Sequence, residues 1–191
     1  IDHNYSDIQC TVCYAYKPSD GLSYTLLSDD SYKVTGLGTC SDEVIVVPSV
    51  YEGKYVTIIG DSAFSYKKNI IKVVLSEGIT TIEDHAFNGC SSMVEISLPS
   101  SIKQIGSFAF AHCSALLNLD LPNSITQIGN NAFYYCTSLN SVIIPGSLVT
   151  LEESIFDTCS NLESVVIEEG VKYIRNNVFY KCENLTQVEL S

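Results

Sequence analysis

Basic residues are scarce in this chain: 10 Lys and Arg stand against 22 Asp and Glu in 191 residues, a formal net charge of −12. That balance argues against nucleic acid and anionic lipid as partners, because both need a cationic surface. Its ordinary reading is a solvated acidic exterior. No apolar run approaches the roughly eighteen residues of a spanning helix, so no membrane insertion of this chain is expected. The N-terminus, Ile1-Asp2-His3-Asn4-Tyr5, lacks the basic and apolar regions of a signal peptide; an export signal, if there is one, lies outside this sequence. Of the three histidines, His85 and His112 fall at different variable positions and have no serine, cysteine or carboxylate partner at a fixed spacing. A Gly-rich phosphate loop, an H-E-x-x-H motif and a calcium loop are all missing. The acid pairs Glu152-Glu153 and Glu168-Glu169 fall in turns, where solvated charge explains them. No enzyme, no cofactor and no metal site is therefore expected.

What the chain does have is a period. Phe64, Phe87, Phe110, Phe133, Phe156 and Phe179 stand 23 residues apart. An isoleucine or leucine lies five before each (Ile59, Ile82, Ile105, Ile128, Leu151, Ile174), and a further aliphatic lies eight before. A small or aliphatic residue (Ala63, Ala86, Ala109, Ala132, Ile155, Val178) directly precedes each phenylalanine, as close packing of successive coils requires. Apolar residues also follow at six, nine and eleven, for example Leu139, Val142 and Ile144. The alternation in that last stretch marks a short strand, and Pro99, Pro122 and Pro145 end it in three units. The L-x-x-L-x-L spacing and the 23-residue repeat fall within the range of leucine-rich repeats. The expected fold is a solenoid, mainly β or α/β, whose strands stack into a parallel sheet and whose function lies on a continuous surface.

The first copy is imperfect. Val44 to Pro48 reads as the first rung, and Ser49 to Tyr55, with Gly53, as an inserted loop. Tyr24 to Leu27 and Tyr32 to Thr35 flank the turn formers Ser28-Asp29-Asp30-Ser31, which predicts a β-hairpin capping the open end of the sheet. At the other end the sequence stops on the strand of the sixth full unit. The protein continues there, the sequence is a piece of a longer one, or two copies meet; truncation is the expectation, and the oligomeric state is left unknown.

Eight cysteines invite a disulfide reading, but Cys90, Cys113, Cys136, Cys159 and Cys182 keep the repeat spacing, three after each phenylalanine. Coils about 4.8 Å apart would hold equivalent Cβ atoms near 5 Å, beyond the usual ~3.8 Å of a disulfide, so a ladder of reduced, buried thiols is expected. Lys67 takes that place in the first unit. Cys10-Thr11-Val12-Cys13 with His3 offers three soft ligands but no nearby fourth. Metal, a disulfide among Cys10, Cys13 and Cys40, and free thiols remain open.

The unit Ser101 to Pro122, with its I-G-x-x-A-F-x-x-C-x-x-L core followed by a strand and proline, resembles the BspA-like, or Treponema pallidum-type, leucine-rich repeat, and the resemblance covers about residues 22–191. It implies a bacterial, sometimes protist, surface or secreted protein that binds an extracellular protein or glycan, often in adhesion to host or other cells. Lys67 departs from the family cysteine, Glu83, Glu152 and Arg175 from its glycine, and Ile155 and Val178 from its alanine. His3 to Cys13 resembles the tail of a small Cys-x-x-Cys module. The domain reading is 1–20, a linker or remnant of such a module, and 21–191, the repeat domain, with cap and first partial repeat at 21–55 and six repeats at 56–191. A structural spacer that displays another domain is the alternative function.

Binding residues are sought where side chains leave the core. Positions eight and ten after each phenylalanine line the outer sheet face. Lys72, Val74, Glu95, Asp120, Ile143 and Val166 are the candidates there, and the exposed apolar pair Ile143 and Val166 falls on adjacent strands. A second, weaker candidate surface is the edge that follows the phenylalanine, with Tyr66, Tyr134, Tyr135 and Tyr180, since tyrosine combines contact area with a polar tip.

Overall fold

The structure, a computed structural model, describes residues 17–191 and, before them, the backbone of two short strands, β1 (Tyr5–Ser6) and β2 (Gln9–Cys10), paired antiparallel. The aliphatic rows wind the chain into coils, because each unit can bury its inward residues only against the units before and after it. An antiparallel hairpin of β3 (Ser23–Leu26) and β4 (Tyr32–Gly36) comes first, and β5 (Val44–Val47) is the first rung. Ser49–Tyr55, expected as a loop, is a second hairpin: β6 (Val50–Tyr51) pairs antiparallel with β7 (Lys54–Ile59). Its tight turn is made by Glu52 and Gly53, both with positive φ (48° and 78°), the geometry that matches strand twist.

From there each coil gives one strand to each of two parallel sheets: β8 (Lys72–Leu75) and β9 (Thr81–Ile82), β10 (Glu95–Ser97) and β11 (Gln104–Ile105), β12 (Asn118–Leu119) and β13 (Gln127–Ile128), β14 (Ser141–Ile144) and β15 (Thr150–Leu151), β16 (Ser164–Ile167) and β17 (Tyr173–Ile174), ending with β18 (Gln187–Leu190). The first sheet runs β18-β16-β14-β12-β10-β8-β5. The second runs β13-β11-β9-β7-β4-β3, with β15 and β17 pairing apart from it. The second sheet is the row of isoleucines five before each phenylalanine, read from sequence only as core. The hairpin cap joins this second sheet through β4 and β7. The free edge of the first sheet is met instead by Ser19, whose N–H donates to Val46 O (2.9 Å) and whose Oγ accepts from Val46 N–H (3.0 Å).

Of the two expected classes, mainly β holds: no helix forms among the described residues. The turns around each phenylalanine explain why. Residues two before and two after it sit in the left-handed region, for example Phe108 and His112 (φ 54° and 60°) or Asn131 and Tyr135 (57° and 61°), and each such residue breaks a helical run. Backbone donors there turn to the next coil: Phe64, Phe87, Phe110, Phe133 and Phe156 N–H bond the carbonyls of Ala86, Ala109, Ala132, Ile155 and Val178 at 2.8–3.0 Å. The phenylalanine rings form a stacked spine, with neighbouring centroids 5.1–5.9 Å apart and planes within 10°.

Beside the spine runs the cysteine ladder. Cys90, Cys113, Cys136, Cys159 and Cys182 are free thiols, and each donates to the carbonyl of Phe64, Phe87, Phe110, Phe133 or Phe156 on the preceding coil at 3.1–3.3 Å. Burial pushes the thiol of Cys90 up to about 12 and that of Cys182 to about 11, and lifts Cys113, Cys136 and Cys159 well above the ordinary range. These thiols stay protonated and act as small donors inside the core. Cys40 is also free and buried. The side chains of His3, Cys10 and Cys13 lie outside the described residues.

Candidate functional site

Two surfaces hold the residues singled out from sequence. On the first sheet, side chains alternate as period two requires: Val73, Ile96, Leu119, Val142 and Val165 are buried, while Glu95, Asn118, Ser141, Ser97, Asp120 and Ile143 are exposed. Lys72 and Glu95 face each other across β8 and β10, and Lys72 Nζ lies 2.8 Å from Glu95 Oε1. Ile143 and Val166 are direct partners in the parallel register of β14 and β16, with Ile143 56% exposed. Val74 is half-buried, and it belongs to β8, on the far side of Ser97 and Asp120 from Ile143. The face therefore joins Ile143 to Val166 and leaves Val74 apart.

Around Asp120 this face is hollowed. A depression of about 410 Å³ is lined by Glu95, Ile96, Ser97, Leu98, Asn118 and Asp120. Another of about 310 Å³ shares Asn118 and Asp120 and reaches Leu121, Ile143 and Glu168. Leu98 and Leu121 hold the position at which Leu75, Ile144 and Ile167 are buried, yet both are only partly covered. The sequence reading placed all five in one inward row and missed this.

The tyrosine edge is less unified. Tyr66 is 66% exposed and packs against Gly89, where an added Cβ would come within 2.6 Å of Tyr66 Cδ1. Tyr134 and Tyr135 are 6.0 Å apart, and His112 sits 5.2 Å from each ring. Tyr180 stands on the last coil with Lys181 Nζ 5.4 Å from its ring. Only Tyr134 and Tyr135 meet. Sequence reasoning missed their partner His112, and also His85, which stacks on Phe108 at 5.3 Å. The spacing could have found both histidines, since His85 lies two before its phenylalanine and His112 two after. A third feature went unread: Ile71, Val94 and Leu117, seven after each phenylalanine, form a partly exposed apolar row beside the first sheet.

Behind the second sheet's outer surface, carboxylates are absorbed by the fold. Glu83, where the repeat resemblance has glycine, accepts from Asp61 N–H (2.8 Å) and pairs with Lys33 Nζ (3.2 Å). Asp84 accepts from Ser107 N–H at 2.7 Å. Among the described residues no group of three His, Cys, Asp or Glu could hold a metal ion, and no helix is long and apolar enough to cross a membrane.

The profile of the BspA type leucine rich repeat region matches residues 57–186 in six copies. No curated protein matches. Among solved structures, the leucine-rich repeat protein of T. pallidum is 27% identical with a TM-score of 0.80, over 91% of this chain and 81% of that one. A leucine-rich cell surface protein of Faecalibacterium prausnitzii A2-165 is 26% identical with a TM-score of 0.76, over 91% of this chain and 54% of its own. A leucine-rich repeat protein of Bacteroides ovatus is 26% identical with a TM-score of 0.66, over 89% of this chain and 52% of its own. This chain thus spans about half the length of the latter two.

Proposed function

Because the chain belongs to the BspA-type leucine-rich repeat family, whose arrays point to protein–protein interaction, we propose that it is a binding module of the cell surface or the extracellular medium. The reading is that it recognises a protein, or a glycan borne by one, in adhesion to host or other cells. Its recognition surface is the outer face of the first sheet, through Lys72, Val74, Glu95, Asp120, Ile143 and Val166. The observation that carries this is the register pairing of Ile143 with Val166, two aliphatic residues on adjacent strands of an open face where solvent alone would favour polar residues. The description of the F. prausnitzii relative as a cell surface protein supports the location. Tyr66, Tyr134, Tyr135 and Tyr180 form a secondary contact edge. The core cluster from Leu22 to Val178 supports treating 21–191 as one domain, to which Ser19 is also tied through Val46; the reading of 1–20 as a linker or remnant falls mostly outside the described residues.

The test is binding of the purified chain to an immobilised panel of extracellular matrix proteins, mucins and glycans, beside the double variant Ile143→Arg, Val166→Arg. Saturable binding that falls about tenfold or more in a variant of unchanged thermal stability supports the reading. Equal binding by both proteins removes the face, and silence across the panel favours the spacer.

A further inference from the structure

The first sheet is not uniformly paired. Between β14 and β16 the register runs over four residues, Ser141–Ile144 against Ser164–Ile167. Between β10 and β12 it shrinks to one pair, Glu95 with Asn118. The 410 Å³ depression sits at this interruption. Ser97 and Asp120, the latter a poor strand former, stand where the pairing stops, and Leu98 and Leu121 are partly bared there. The Asp120 carboxylate is exposed and, among the described residues, accepts no hydrogen bond and forms no ion pair.

The row ten after the phenylalanine adds a pattern. From β12 to β18 it reads Asp120, Ile143, Val166, Glu189: two aliphatic side chains bracketed by two exposed carboxylates. Three strand spacings of about 4.8 Å put the bracketing acids about 14 Å apart. An extended peptide rises about 3.4 Å per residue and shows every second side chain to one face, so its residues i and i+4 are also about 14 Å apart, with i+2 between them.

Resting on the recognition face named above, we propose that this row binds an extended segment of a partner protein laid across the strands, with a basic residue, an aliphatic residue and a second basic residue at alternate positions. The aliphatic side chain covers Ile143 and Val166. One basic side chain enters the opening between β10 and β12, laying its methylene stem over Leu98 and Leu121 and its charged head against Asp120, the arrangement that long cationic side chains adopt on amphipathic surfaces. The other meets Glu189. Charge complementarity sets the sign: the row offers carboxylates at both ends, and the cation near it on the face, Lys72, lies against Glu95.

The probe is a biotinylated peptide containing Lys-Thr-Val-Thr-Lys, presented multivalently on streptavidin, beside a charge-reversed peptide with Glu at both ends and a respaced one, Lys-Lys-Thr-Val-Thr. The expected result is binding of the first peptide, weakened about tenfold by Asp120→Asn with Glu189→Gln, and unchanged by Glu152→Gln with Glu153→Gln in the turn after β15. The respaced and reversed peptides should bind about tenfold more weakly or not at all. No binding of the first peptide, equal binding of the respaced one, or equal weakening by the Glu152, Glu153 variant overturns the proposal, the last two by showing that net charge alone acts. The panel experiment separates this outcome from the fate of the face: panel binding lost in the Ile143→Arg, Val166→Arg protein but kept in Asp120→Asn, Glu189→Gln leaves the face standing and removes the basic partner.

Discussion

Two stretches of one sheet, built on the same repeat, differ in closure. Under β14 and β16 the outer row holds Ile143 and Val166, β-branched residues that pack across the pleat, and pairing runs the length of both strands. Under β10 and β12 the same row holds Ser97 and Asp120, pairing stops after one residue, and a depression opens. The phenylalanine spine and the thiol ladder pass beneath both without change: the ring spacings at Phe87–Phe110 and Phe133–Phe156 are 5.2 and 5.4 Å, and the Cys113 and Cys159 thiols bond at 3.2 and 3.3 Å. The core is set by inward residues, and the surface ladder is tuned separately by outward ones.

The largest test of that separation removes a ring from each stretch. Phe110→Ala, beneath the opening, and Phe156→Ala, beneath the closed ladder, should each cost about 3–5 kcal/mol by urea unfolding. A much smaller cost for Phe110→Ala would mean that the opening reaches the core. The thiols provide a second comparison through pH. Their pKa values are raised in the folded chain, so their stabilisation is complete below the unfolded value near 9 and is lost as pH rises towards the folded value, about 12 for Cys90, because only the unfolded chain ionises in that window. Each buried thiol then removes about 1.4 kcal/mol of stability per pH unit above 9. Denaturant midpoints measured from pH 8 to 11 should flatten equally for Cys113→Ala and Cys159→Ala, and unequal slopes would break the equivalence. The smallest effects belong to the outer row. Asp120→Val should close the ladder and raise stability by roughly 0.5–1 kcal/mol, while Ile143→Asp should lower it by a similar amount. If Asp120→Val proves destabilising, side-chain propensity is not what keeps the strands apart.

Much of this fold was legible because it repeats. Phe64 to Phe179 fixed the coil, the alternation at Val142 and Ile144 gave the first sheet, and Ser28–Ser31 gave the capping hairpin. The second sheet was not legible, since strands such as Gln104–Ile105 are two residues long and cannot display an alternation. Nor were the left-handed turns, because Gly89, Asn131 and Asn177 mark only some of them while residues such as Tyr66, His85, Phe108 and Lys181 occupy the equivalent places. On the candidate surface the pairing of Ile143 with Val166 followed from register alone. The hollow at Asp120 did not, since Leu98 and Leu121 carry the same inward signature as Ile144 and differ from it only in what the neighbouring strand does.

The backbone bonds between coils, in both sheets and along the phenylalanine turns, all run along the stack. A pull along that direction is borne by every coil-to-coil junction in series, so the whole array is as strong as its thinnest junction. The coil carrying β12 and β13 is tied to the preceding coil by one pair between β10 and β12 and two between β11 and β13, and to the following coil by two pairs between β12 and β14 and the phenylalanine-turn bonds, with no strand pairing between β13 and β15. The junction with the least strand pairing and the exposed Asp120 thus share one coil, and a ligand bridging Asp120 to Ile143 would splice the junction that fails first.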